Sequence, residues 1–130
     1  MTFPAGRGGS HAKLARALSA MRMNLADPDF DLAACANEAY LSERSLQRLF
    51  ARHKTTFRAQ LLRMRMELAK RYLLESRLSI AEIAERVGYR HPAHFAKAYR
   101  RYHGRSPREE RRAAGLPART LGKGAAGEAG

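Results

Sequence analysis

The sequence lacks several features that would indicate other classes of protein. It has a single cysteine, Cys35, so no internal disulfide can form, and its place in an apolar helical register favours a small core residue over a reactive thiol. No apolar stretch is long enough for a signal peptide or a membrane-spanning helix, and we therefore expect a cytoplasmic protein. A glycine-rich phosphate loop, a cluster of metal ligands and a nucleophile–base spacing are also missing, so we predict no enzyme, no cofactor and no metal site.

Acidic residues are scarce as well. The chain has 12 Asp and Glu residues against 25 Lys and Arg residues, which gives a net charge of +13 and a pI near 11.0. A charge of this size attracts polyanions, with nucleic acid as the first candidate and an anionic membrane surface as the second. At 130 residues the chain has room for one domain, or for two very small ones that share a core element, which excludes a large multidomain enzyme.

Residues 78–104 have the pattern of a helix, a tight turn and a second helix. Ser79 and Glu82 have the spacing of a capping box at the start of the first helix. Gly88 supplies the backbone freedom that ends this helix sharply, and Pro92 is acceptable in the first turn of the next one. We predict a helix-turn-helix unit here.

The same pattern occurs earlier in the chain, over residues 30–54. With an offset of 48 residues, the predicted cap Asp31 matches Ser79, and Tyr40 stands where the second copy has Gly88. If this turn needs a positive φ, a tyrosine is strained there and a glycine is not. The chain therefore contains an internal repeat of the helix-turn-helix unit.

The residues between the two copies predict one long linker helix over 56–76. It has two apolar stripes on different sides, and Leu62 belongs to the second, which favours burial against two bodies over the alternative of a single-core bundle. A helix of about 20 residues is roughly 30 Å long, close to the roughly 34 Å between successive major grooves of DNA. The remaining predicted segments are a flexible N-terminus over 1–9, a folded domain over 10–115, a final helix over 106–114 and a disordered tail over 116–130.

Three runs carry a family resemblance: LSERSLQRLFARH in the first copy, LLRMRMELAKRYLLES in the linker and SIAEIAERVGYRHPAHFAKAYRRYHGRSPREERR in the second copy. On these runs, the span from about His11 to Ala114 resembles the DNA-binding domain of AraC/XylS-type transcriptional regulators. The resemblance implies an all-α fold of about seven helices, with two helix-turn-helix subdomains joined by a long central helix. It also implies sequence-specific binding of double-stranded DNA near promoters, with RNA polymerase as an expected second partner.

The resemblance also implies which residues meet DNA. The base-reading positions fall on Arg44, Gln47 and Arg48 in the first copy and on Ala93, His94 and Lys97 in the second. The chemistry fits, because arginine can bind guanine and glutamine can bind adenine through two hydrogen bonds. Residues at helix starts and flanks are expected to hold the DNA backbone: Ser42, Arg52, Arg90, His91 and Arg101.

Each of these assignments has a simpler alternative. An outward arginine on a basic helix is usually a solvated charge, and only the repeat favours base contact for Arg48 and Lys97. His91 and His94 lie one helical turn apart, but no carboxylate or cysteine nearby in sequence completes a metal site. Arg65, between the two stripes of the linker helix, is predicted to form a buried or half-buried structural ion pair.

We therefore expect a sequence-specific, nucleoid-associated DNA-binding transcriptional regulator. It is expected to place two recognition helices in successive major grooves and to bind as a monomer. The ten residues before the first helix leave no room for an effector-binding domain, so we expect control by abundance or by another protein. The alternative is a non-specific, basic nucleic-acid-binding structural protein.

Overall fold

The computed structural model describes residues 9–117, which contain seven helices and no strand. The helices are α1 (Gly9–Asn24), α2 (Leu32–Glu38), α3 (Glu43–Arg52), α4 (Phe57–Glu75), α5 (Ile80–Arg86), α6 (Pro92–His103) and α7 (Pro107–Ala113). The predicted all-α fold is confirmed. The flexible segments predicted at the two ends lie outside the described residues except for Gly9, which begins α1, and for Leu116 and Pro117. No helix within 9–117 is both long and apolar enough to cross a membrane.

Side-chain caps start several of these helices, as their sequences predict. The capping box at α5 is present, with Ser79 Oγ accepting from the Glu82 N–H and Glu82 Oε1 accepting from the Ser79 N–H, both at 3.1 Å. Asp31 Oδ1 accepts from the Ala34 N–H at 2.9 Å at the start of α2. Such caps contribute about 1 kcal/mol each, which matters for helices of only 7 residues.

The turns that follow α2 and α5 have the same backbone geometry. After α2, the Tyr40 N–H donates to the Asn37 carbonyl, and the Leu41 N–H donates to the Ala36 carbonyl. These two bonds form a Schellman motif, in which one residue adopts a left-handed conformation. That residue is Tyr40, with φ of 59°, and at the second turn it is Gly88, with φ of 89°. The turn does need a positive φ, so the condition under which Tyr40 is strained is met.

The described chain divides into two compact units. The first contains the residues up to Leu25 together with Asp29–Met64, and the second contains Ala26–Pro28 together with the residues from Arg65 on. Helix α4 passes from one unit into the other. The hydrophobic core of the second unit consists of Met66, Ala69, Leu73, Ile83, Ala84, Val87, Phe95 and Tyr99. The main buried side chains of the first are Leu14, Ala17, Met21, Phe30, Cys35, Leu46, Leu49, Phe50 and Leu61.

The burial along α4 corrects one detail of the sequence pattern. Leu61 is buried in the first unit, while Met66, Ala69 and Leu73 are buried in the second. Leu62, predicted to lie in a buried stripe, is 37% exposed. The helix therefore contributes to two cores one after the other along its length, so a complete second stripe is not required.

Cys35 should resist alkylation in the folded protein. The residue is fully buried, and burial, reinforced by the Glu38 carboxylate, raises the pKa of its thiol to about 11. Only the thiolate reacts, so at pH 8 we expect iodoacetamide to modify the native chain at least about a hundredfold more slowly than the urea-unfolded chain. Equal rates would show that Cys35 is accessible.

The same shift makes stability depend on pH. The unfolded chain ionises Cys35 at a lower pH than the folded chain does, so the free energy of unfolding should fall as the pH rises from about 9 to about 11. Cys35→Ala serves as the control, because the difference between the two pH profiles isolates the thiol.

Candidate nucleic-acid interface

The second helix of the first helix-turn-helix, α3, is held by one apolar face. Ser42 Oγ accepts from the Ser45 N–H at 3.0 Å and caps the start of the helix. Leu46, Leu49 and Phe50 are buried. Because these side chains fix the rotation of α3, its opposite face points to solvent.

That outer face carries the three base-reading residues predicted for the first unit. Arg44, Gln47 and Arg48 are all exposed, and their side chains form no hydrogen bond or ion pair with another described residue. Of the predicted backbone contacts, Arg52 is exposed and donates to Ser10 Oγ at 3.2 Å, and the Ser42 hydroxyl is engaged in the cap. The first unit thus presents two guanidinium groups and one amide on a single face.

The second helix of the second helix-turn-helix, α6, is likewise held by one apolar face. It starts at Pro92, and Phe95 and Tyr99 are fully buried. The predicted base-reading residues on the opposite face are all exposed: Ala93, His94 and Lys97. The predicted backbone contacts Arg90, His91 and Arg101 are exposed before the helix and in its last turn.

The imidazole rings of the two histidines at the start of α6 contact each other. The imidazole centroids of His91 and His94 are 5.0 Å apart in an edge-to-face arrangement. Within residues 9–117, no group of three or more His, Cys, Asp or Glu side chains could hold a metal ion. The two imidazoles instead offer hydrogen-bonding nitrogens at the start of the helix.

A hydrogen bond to α7 helps to hold α6 in place. The Tyr99 hydroxyl donates to Glu110 Oε1 at 2.7 Å inside the core, and burial, followed by this bond, raises the pKa of Tyr99 well above its ordinary value. At the end of α6, His103 Nε2 lies 3.0 Å from the Met66 carbonyl of α4. The position of the α6 outer face therefore depends on α4 and α7.

Arg111 ties α7 to the end of α4. Its side chain is only 1% exposed, with Nε donating to the Leu73 carbonyl at 3.0 Å and Nη2 donating to the Ser76 carbonyl at 3.3 Å. These carbonyls belong to the last turn of α4 and its exit, where no intrahelical donor is left for them. Burial lowers the pKa of Arg111. Arg111 is thus a structural cation within a basic segment.

The sequence analysis missed this role of Glu110 and Arg111. The signal was available, since the buried residues Pro107, Glu110 and Arg111 are spaced i, i+3 and i+4, the period of a buried helix face. The pattern is hard to see in the sequence because two of these three residues are charged.

Arg65, predicted to be structural, is half-buried and donates to the Asp27 carbonyl at 2.9 Å, with its guanidinium 5.9 Å from the Tyr89 ring centroid.

Comparison with known proteins agrees with this arrangement. Residues 35–113 match a family model described as a helix-turn-helix domain. The chain is 39% identical over 94 residues to the transcriptional activator NphR of a Rhodococcus species, covering 72% of this chain and 28% of NphR. It is similar to a Chromobacterium violaceum transcriptional regulator of the group containing AraC-type DNA-binding domains, with a TM-score of 0.72, 32% identity, and coverage of 82% of this chain and 95% of that one.

A solved complex with DNA is also similar. The DNA-binding domain of AdpA, crystallised with a target DNA, matches with a TM-score of 0.70 and 30% identity, covering 78% of this chain and 91% of that one. The present chain spans about a third or less of the length of the curated relatives it matches, with 28% of NphR and 33% of the regulator GlxA of Rhizobium meliloti covered.

Replacing Arg111 with lysine tests its role as a fork between two carbonyls. A single ammonium cannot reproduce the separate bonds from Nε and Nη2, so Arg111→Lys should lower the free energy of unfolding by ~1 to 3 kcal/mol in chemical denaturation. The neighbouring Arg112 is exposed, and Arg112→Lys should change stability by less than ~0.5 kcal/mol. Equal effects of the two substitutions would contradict the assignment.

Proposed function

The chain belongs to the AraC-type helix-turn-helix family, and on that premise we propose that it is a transcriptional regulator that binds double-stranded DNA sequence-specifically. One observation carries the proposal. In each helix-turn-helix the outer face of the second helix is turned to solvent, and the predicted base-reading side chains on α3 form no hydrogen bond within the described residues. Polar groups left unbonded on a helix of the right size for a major groove are the usual means of reading base edges.

The two faces differ in the chemistry that they offer DNA. Arg44 and Arg48 can each bind guanine O6 and N7 together, and Gln47 can bind adenine N6 and N7. On α6, Lys97 is a point-like cation that discriminates less sharply than a planar guanidinium, and Ala93 offers only a methyl group. We infer that the first unit is the more discriminating reader.

The remaining predicted residues supply backbone contacts. Arg52, Arg90 and Arg101 are exposed cations at the ends of the two recognition helices, while Ser42 and His91 occupy the N-cap positions. Contacts of this kind hold phosphates and fix the register of a protein on the duplex without reading its sequence.

The linker helix supports a site two grooves long. Helix α4 has 19 residues, and at 1.5 Å per residue it is roughly 28 Å long, near the spacing of successive major grooves. The proposal includes a monomer on DNA in the cytoplasm, a further contact with RNA polymerase and no catalytic activity of its own. Selection of bound sequences from a random duplex pool is the first experiment, because a non-specific nucleic-acid-binding protein would enrich no sequence.

Arg48 and Arg101 should respond differently to alanine substitution. On the selected site, Arg48→Ala should cost ~1 to 3 kcal/mol and relax the preference at one base pair, because a bidentate base contact is lost. Arg101→Ala should weaken the binding of all duplexes alike and lower the salt slope by about one, because a phosphate contact is lost. Binding titrations on selected and random DNA across a salt series measure both. Equal losses on the two DNAs for Arg48→Ala would refute its base-reading role.

The spacing of the two half-sites gives a second test. Insertion of five base pairs between them turns one groove about half a helical turn away from the other. If both units read DNA together, affinity should fall roughly tenfold or more, whereas a ten-base-pair insertion keeps the face and changes only the distance. A nuclease footprint confined to one groove would contradict the two-unit model.

A further inference from the structure

Tyr40 combines an unfavourable backbone conformation with an almost wholly exposed side chain. Its φ is 59°, in the left-handed region that costs an L-residue free energy, and its side chain is 84% exposed. Among the described residues, no hydrogen bond or ring contact engages its side chain. Packing therefore does not compensate for the strain, and no contact of the ring within the described residues stabilises the fold.

The second unit shows what this turn requires. Gly88 occupies the matching position with the same pair of backbone hydrogen bonds, in which the Gly88 N–H donates to Glu85 and the Tyr89 N–H donates to Ala84. A glycine satisfies this geometry without strain. The same turn forms with glycine in one unit and with tyrosine in the other, so the turn itself does not require the side chain of Tyr40. Strained positions of this type occur at functional sites.

Charges of both signs lie near Tyr40 in the chain, and one cation is bonded to the turn itself. Glu38 and Glu43 flank the turn, and Glu38 Oε2 accepts from the Asn24 amide at 2.7 Å. Arg16 Nε donates to the carbonyl of Ala39 at 2.9 Å, which holds a guanidinium beside the turn, and the Arg16 side chain makes no other hydrogen bond within residues 9–117. Tyr40 lies two residues before Ser42, the N-cap of α3, and Arg44 follows in the first turn of that helix. The Arg16 guanidinium held at the turn and the phenol O–H donor of Tyr40 together suit an anionic acceptor.

We propose that Tyr40 is a DNA-backbone contact of the first unit, with its phenol hydroxyl donating to a phosphate beside the groove that α3 enters. This inference rests on the proposed function, because it takes α3 as the helix that meets DNA. The donor is uncharged, so the contact adds affinity for any duplex and releases no counter-ion of its own.

Two substitutions at Tyr40 separate the hydroxyl from the ring and from the strain. Tyr40→Phe should weaken binding to the selected site and to random duplex alike, by about threefold to tenfold, because one solvent-exposed hydrogen bond from an uncharged donor is lost. The slope of affinity against salt should stay unchanged. Tyr40→Gly should weaken binding at least as much, while its thermal midpoint does not fall below that of the wild type, because glycine relieves the strain.

Tyr102→Phe is the matched control, because it removes the hydroxyl of another exposed tyrosine, at the packed side of α6, and should leave affinity unchanged. If the wild type selects a site that Tyr40→Phe and Tyr40→Gly bind with wild-type affinity, the proposed contact is wrong. A loss of transcriptional activation with DNA affinity intact would also overturn it and would assign the ring to a protein partner. Failure of the wild type to enrich any sequence would instead count against the proposed function.

Discussion

One continuous helix supplies core residues to both units, and the rest of the structure depends on it. Helix α4 buries Leu61 in the first unit and Met66, Ala69 and Leu73 in the second. Helices α2, α5 and α7 have 7 residues each, too few to be stable alone in water. They form because caps satisfy their ends and because α1, α3, α4 and α6 give them an apolar surface to cover. A unit without its share of α4 would lose one wall of its core.

The end of α4 also sets the position of the second recognition helix. A buried guanidinium is costly to desolvate, and its cost is partly offset here by bonds to two carbonyls that carry the negative end of the helix dipole, while Nη1 is buried without a partner among the described residues. Arg111 donates these bonds, and the adjacent Glu110 accepts the bond from Tyr99 of α6. Two consecutive residues of α7 therefore fasten α6 to α4, so the outer face of α6 is fixed by contacts on its inner side.

Features that depend on neighbours in the chain could be predicted from the sequence, and features that depend on distant atoms could not. The capping box of Ser79 and the positive φ of Tyr40 are local, and the helical period also identified the exposed faces that carry Arg48 and Lys97. The partners of Arg111 are backbone carbonyls, which any residue can supply, so no sequence pattern records them. The prediction that Leu62 is buried was wrong for a related reason, because its burial depends on where one core ends and the next begins.

The two repeats have similar backbones but carry different side chains at matching positions. The second unit has a glycine at its turn, a capping box on α5 and a buried Tyr99–Glu110 hydrogen bond, all of which hold its recognition helix without strain. The first unit has a strained Tyr40 at the same turn and exposes two guanidinium groups and an amide on α3. A fixed helix lowers the entropy cost of binding, whereas planar donors raise the discrimination between bases. Under the proposed function, the second unit therefore supplies a helix placed without strain at its turn, and the first unit supplies the planar donors that discriminate between bases.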